Sequence, residues 1–262
     1  MSIADHQSHA APQSPTAVTA VYVAWRPGDA AQEWRPVGRL EHADGIYRFW
    51  YTRGAERPGF QPFSGMEDLR TVYESEDLFP LFKNRLLSKS RPEYEAFLRW
   101  GGFEAMDRPT PLSILGVTEG IRQTDAVEVF PCPEPDAEGC FMNRFFLHGL
   151  RWLPDAALER VSRLEPDEQL LLFPDIQNQS DRRAIGVRTI DERMLIGYFP
   201  RYLAHDVWEL LQRCDVEFLR VSTLRVSPDA PLQNRVLCQL RACWPAGFRP
   251  CSSDDFLPLA AR

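Results

Sequence analysis

An acid and two arginines stand side by side at Asp181, Arg182 and Arg183, inside a polar link (175–183) that separates two apolar runs, and Arg201 follows the next run. A carboxylate only accepts hydrogen bonds and so suits a hydroxyl, while guanidinium forks suit phosphate oxygens. Gathered at one rim, these residue types fit a ligand that carries both hydroxyls and phosphates. Hydrolytic chemistry finds little support: His42, His148 and His205 are scattered, and there is no nucleophile elbow, HExxH or P-loop. Cys238, Cys243 and Cys251 lack a paired CxxC or a nearby histidine. They are expected to be buried free thiols, and no metal or cofactor is implied.

The elements that must position this rim are written into the same stretch. Apolar runs at Leu170 to Phe173, Ala184 to Val187 and Met194 to Ile196 predict strands, and Gly197 followed by Pro200 predicts a turn into a helix. That helix places Leu203, Val207, Leu210 and Leu211 on one side, to lie against a barrel or sheet. Upstream, alternation predicts strands over 18–25, 36–40 and 46–51, with Asp44-Gly45 as a hairpin turn. Ser75 reads as an N-cap for a helix carrying Leu78, Phe82 and Leu86 in one stripe, with Lys83 and Arg85 on a face that is either solvated or partner-binding. Ser90 and Glu93 around Pro92 read as a capping box for a helix that buries Tyr94, Phe97, Leu98 and Trp100 and ends at Gly101-Gly102. Thr110 before Pro111 starts a third helix to about Leu115, and a strand follows at 126–130.

The run PCPEPDAEG (131–139) reads as a domain boundary. Beyond it the pattern predicts strands at 143–147, 216–226 and 232–242 and a helix at 155–164. Phe248 or Phe256 should pack the C-terminal segment onto a surface. The expected class is α+β: a small N-terminal antiparallel sheet with helices (18–131) and a β-rich unit with helices (141–250), between tails at 1–17 and 251–262.

The chain has 262 residues, 44% of them hydrophobic, enough for two cores. Its net charge of -7 argues against a nonspecific nucleic-acid coat protein, so any nucleic-acid contact must be local. Six cysteines are few for this length, and several sit in apolar runs, which predicts reduced cytosolic thiols without a disulfide framework. The opening MSIADHQSHAAPQSPTA has no apolar core, so neither a signal peptide nor a membrane partner is expected, and the location expected is the cytoplasm.

Gly149-Leu150-Arg151-Trp152, Pro174-Asp175, Asn178 to Ile185 and Gly197 to Arg201 form an ordered series that resembles the HIRAN domain, which occurs alone in bacteria and fused to eukaryotic fork-remodelling helicases. The resemblance covers roughly 143–245. It implies an OB-like β-barrel that binds the 3′-hydroxyl end of single-stranded DNA, with Asp181 meeting the terminal hydroxyl and Arg151 and Trp152 holding the terminal nucleotide. It further implies that Tyr198 and Arg201 touch the terminal base or phosphate, with Arg182 and Arg183 as secondary contacts. Ser180 stands where the family carries an aromatic ring, so one pocket wall is missing, and Pro200-Arg201 replaces a lysine-rich pair. Residues 19–131 resemble, more faintly, the N-terminal subdomain of HipA-type toxin kinases, through Tyr73-Glu74-Ser75, Leu78 to Leu87 and Pro111 to Leu115; no kinase core follows. Together these imply a non-enzymatic protein that binds single-stranded DNA or DNA ends and engages a protein partner such as a kinase, helicase or nuclease. The alternative is an antitoxin-like regulator that restrains a HipA-type kinase.

Overall fold

Val21 and Val23 point to one face of the first strand and Tyr22 and Ala24 to the other, and all four are buried. A strand covered on both faces has no reason to alternate, which accounts for its almost unbroken apolar run. The computed structural model describes residues 18–26, 34–104, 106–122, 125–136 and 138–260; the tail expected at 1–17 lies outside them. Five strands, β1 (Ala20–Trp25), β2 (Arg35–Ala43), β3 (Ile46–Tyr51), β4 (Tyr73–Ser75) and β5 (Val127–Pro131), form one antiparallel sheet in the order β4-β3-β2-β1-β5. Helices α1 (Pro80–Lys83), α2 (Tyr94–Trp100) and α3 (Pro111–Thr118) accompany it. Thr110 caps α3 by accepting from the Ser113 N–H at 3.1 Å, as its place before Pro111 requires.

The second sheet holds β6 (Cys140–Phe146), β7 (Gln169–Pro174), β8 (Ile185–Thr189), β9 (Leu195–Tyr198), β10 (Leu219–Val226) and β11 (Val236–Cys243), ordered β6-β11-β10-β7-β8-β9. It curls until its two edges meet: His148, just past β6, and Tyr198 of β9 exchange N–H to carbonyl bonds of 2.9 Å in both directions. This is the OB-like half-barrel of the α+β class. Helices α4 (Asp155–Ser162) and α5 (Arg201–Arg213) cover it. Leu203, Ala204, Val207 and Leu210 form the buried stripe of α5, each large side chain contributing about 1.5–3 kcal/mol.

The two sheets share a core. Tyr22, Ala24 and Phe130 of the first pack in one cluster with Phe145, Leu147 and Leu203 of the second. The Phe130 ring stacks on Tyr202 of α5, with centroids 4.4 Å apart.

Five expectations are corrected. Ser75 ends β4 and starts no helix: its hydroxyl accepts from Asp77 N–H at 3.1 Å, and the helix waits for Pro80, whose ring is tolerated only in a first turn. The capping box does not form. Ser90 sits in a hydroxyl pair with Ser88, Glu93 makes no side-chain cap, and α2 keeps only a half-buried face. Arg85 is on no exposed face, since it is 7% exposed and bonded to Asp125 (2.7 Å) and to the carbonyls of Gly120 and Val127. Cys243 is no free thiol: the β6–β11 register sets it directly opposite Cys140, and the two are joined in a disulfide spanning 103 residues. The late strands are also shorter than expected, because 216–218 and 232–234 form single 3-10 turns. Phe248 is buried and Phe256 packs edge-on against Tyr22, as expected of the C-terminal segment.

Candidate functional site

The polar link between β7 and β8 is a hairpin loop wound around one asparagine. Asp175 N–H donates to Ala184 C=O at 2.8 Å and closes the loop. Inside it the Asn178 side-chain carbonyl accepts from the N–H groups of Ser180 and Asp181, both at 3.0 Å, while its amide donates to Asp175 at 3.2 Å. Asx turns of this kind satisfy loop amides locally, so the loop is shaped without a ligand.

Asp181 is held from two sides. Its Oδ1 accepts from Arg183 N–H at 2.9 Å, and its Oδ2 faces Arg201 Nε at 3.5 Å, at the start of α5. One carboxylate oxygen thus serves the loop and the other is turned toward a cation. A single, partly exposed contact of this length is worth about 0.2–1 kcal/mol. It can therefore be traded for a ligand's hydroxyl and phosphate at small cost.

A second group forms around the barrel closure. Gly149 adopts a left-handed conformation (φ 78°) and starts the 3-10 turn Leu150–Trp152. A Cβ there would come within 3.0 Å of the Tyr198 ring, so the turn lies hard against that ring. Tyr198 donates its hydroxyl to Asp175 at 3.0 Å, and burial followed by that hydrogen bond raises its pKa. The turn presents Arg151 and Trp152 outward: the guanidinium lies 4.6 Å from the indole centroid, and the indole is 77% exposed. An indole with that much open surface is not a core aromatic.

The seven residues picked from the sequence thus fall into two groups. Asp181 and Arg201 touch; Arg151 stacks on Trp152, and Tyr198 lies beside their turn. The groups are bridged by Asn178, bonded to Asp175 on one side and to Asp181 N–H on the other. Arg182 and Arg183 are exposed on the same loop. Ser180, exposed beside Asp181, supplies no ring.

Sequence reasoning missed two parts of this arrangement. Asp175, which holds Tyr198 and Asn178, was legible as a polar residue ending an apolar run, but its partners lie 23 and 3 residues away. The other part is Glu119, buried at the left-handed C-cap of α3. Its carboxylate accepts from His148 Nε2 at 2.9 Å and, through a very short bond, from the Tyr202 hydroxyl. Burial would lower the pKa of His148, but Glu119 outweighs it and raises the imidazole to about 9. Burial and then the Glu119 charge push the nearby Glu128 up to about 8. Tyr202 is driven well above its ordinary value by burial and by Glu119. No spacing rule joins Glu119 to residues 29 and 83 positions away.

Among the described residues, no group of three or more His, Cys, Asp or Glu side chains could hold a metal ion, and no helix is long and apolar enough to cross a membrane.

Comparison with known proteins gives no match among curated sequences. Among solved structures, a protein from Lactobacillus plantarum is similar at 19% identity, with 39% of this chain and 96% of that one covered and a TM-score of 0.30. The HIRAN domain of human HLTF is similar at 17% identity, with 40% of this chain and 78% of that one covered and a TM-score of 0.26. The family match does not reach residues 19–131, for which the likeness to the HipA-type subdomain remains without support. Residues 141–242, the curled sheet with α4 and α5, are matched by the family model of the HIRAN domain.

Proposed function

We propose that this protein is a non-enzymatic binder of single-stranded DNA that takes the 3′-hydroxyl end at the β7–β8 loop. The observation that carries the reading is Asp181: a carboxylate with one oxygen committed to its own loop and the other turned outward beside Arg201. In this reading the outward oxygen accepts the terminal hydroxyl and Arg201 takes the adjoining phosphate. The open indole of Trp152, backed by Arg151, stacks on a base, and Tyr198, anchored by Asp175, closes the wall. The HIRAN match over 141–242 supports DNA-end binding independently of these distances. The first sheet and its helices would serve a protein partner.

Fluorescence anisotropy with oligonucleotides carrying a free or a phosphorylated 3′ end tests this. The wild type should favour the free hydroxyl, because a terminal phosphate would bring like charge against Asp181, and Asp181→Ala should erase the preference. Trp152→Ala should weaken binding by about 1–3 kcal/mol while leaving stability within about 0.5 kcal/mol, since the ring is exposed. Equal affinity of the wild type for both ends would refute end recognition. Absence of binding to either oligonucleotide would favour the competing antitoxin-like reading, in which the barrel contacts protein.

A further inference from the structure

The Asp181 rim opens onto a cleft of about 1000 Å³ between the two sheets, whose far wall comes from outside the family match. That wall holds Trp34 and Arg35 at the head of β2, Arg57 beyond β3, and Arg249 on the C-terminal segment. The near wall carries Asp181, Arg182, Arg183 and Arg201. A volume of this size is at the upper end of ligand-binding cavities, about 300–1000 Å³.

The charges of the cleft do not cancel. Each acid on its wall is already engaged: Asp181 by Arg201, Asp255 by Arg57 at 2.9 Å, Glu209 by Arg213 on the next turn of α5, and Asp206 by Cys251 N–H at 3.0 Å and His205 at 3.6 Å. Arg35, Arg182, Arg183 and Arg249 are left with no ion-pair partner among the described residues. Four like charges lining one cleft repel one another, and in a molecule of net charge -7 their gathering does nothing for folding. A concave run of guanidinium groups is what a polyanion requires.

We infer that this cleft carries the sugar-phosphate backbone of the DNA strand whose end sits at Asp181, so that Arg35 and Arg249 bind phosphates several nucleotides in from the terminus. The N-terminal half and the C-terminal segment then form part of the nucleic-acid site. This rests on the reading of Asp181 given above, which fixes where the strand begins.

The test uses the full chain, with 5′-labelled oligothymidylates of increasing length and a free 3′ end, titrated over a range of salt. Three proteins are compared: wild type, Arg35→Ala/Arg249→Ala, and Arg35→Lys/Arg249→Lys. Wild-type affinity should rise with length to a plateau. The alanine pair should lose the gain with length, binding long oligonucleotides about tenfold or more weakly, with a salt slope shallower by about 1.4. Its preference for a free over a phosphorylated 3′ end should persist, and the lysine pair should restore the slope because it restores the charge. If the alanine pair matches the wild type at every length and salt, the cleft is not the strand's track, and end recognition stands untouched. If the wild type ignores the 3′ end while the arginines still set the length dependence, end recognition fails and the cleft stands.

Discussion

Arg85 shows how a residue's surroundings override its type. A guanidinium two residues after Lys83, in the turn that follows α1, reads as surface, yet it threads inward to the carbonyls of Gly120 and Val127, with Asp125 at its tip. Asp125 keeps about a third of its side chain in water, so losing its partner leaves no deeply buried charge. The two carbonyls lose a donor, at about 1–3 kcal/mol each. Arg85→Ala is therefore expected to lower the free energy of unfolding by about 2–6 kcal/mol in urea denaturation, whereas Lys83→Ala should change it by less than about 0.5 kcal/mol. Asp181, Arg182 and Arg183 were legible as a chemical set because they are consecutive in sequence, and Arg201 because it follows the next apolar run. Glu119 was not, because its value lies wholly in His148 and Tyr202, brought to it by the packing of one sheet on another.

The strands and helices of the second sheet were legible because their signs are local. Apolar runs fixed β7, β8 and β9, and Pro200 set α5 within one residue. The first upstream helix starts later than Ser75 predicts because a hydroxyl can cap a turn as readily as a helix, whereas Pro80 is tolerated only in a first turn. The disulfide was hidden for another reason, since it depends on β6 and β11 becoming neighbours across 103 residues. The turn at Gly149 gives a test at this scale. Gly45 and Gly149 share nearly the same backbone angle (φ 79° and 78°), but a Cβ at Gly45 meets nothing within 4 Å and one at Gly149 presses on Tyr198. Alanine at either should cost about 1–3 kcal/mol in backbone strain, seen as a lower melting temperature. Only Gly149→Ala should also weaken oligonucleotide binding, by moving the Tyr198 ring and the turn that carries Trp152.

At the scale of the whole molecule, the two halves meet at a polar knot where Glu119 of the first contacts His148 and Tyr202 of the second, with Glu128, Arg26 and Arg201 facing it. The pH dependence of stability follows from two raised pKa values. His148 goes from 6.5 unfolded to about 9 folded, so its contribution is complete below pH 6.5 and is lost as pH climbs through 9. Glu128 goes from 4.5 to about 8, so the fold holds its proton more tightly than the unfolded chain does, and stability again falls between those values. Both act in the same direction. Thermal unfolding should show the highest melting temperature in mildly acidic buffer and a steady fall toward pH 9, and Glu119→Gln should flatten the part of that fall above pH 6.5.

The stacking of Phe130 on Tyr202 also bears on how the binding half can be handled. A polypeptide started at Cys140 would leave the Tyr202 ring bare, His148 without its carboxylate, and the flank around Phe145 and Leu203 open to water. Such a truncated piece would carry a sticky side that the intact chain lacks. Self-association on that side would then compete with whatever strand the pocket was meant to hold.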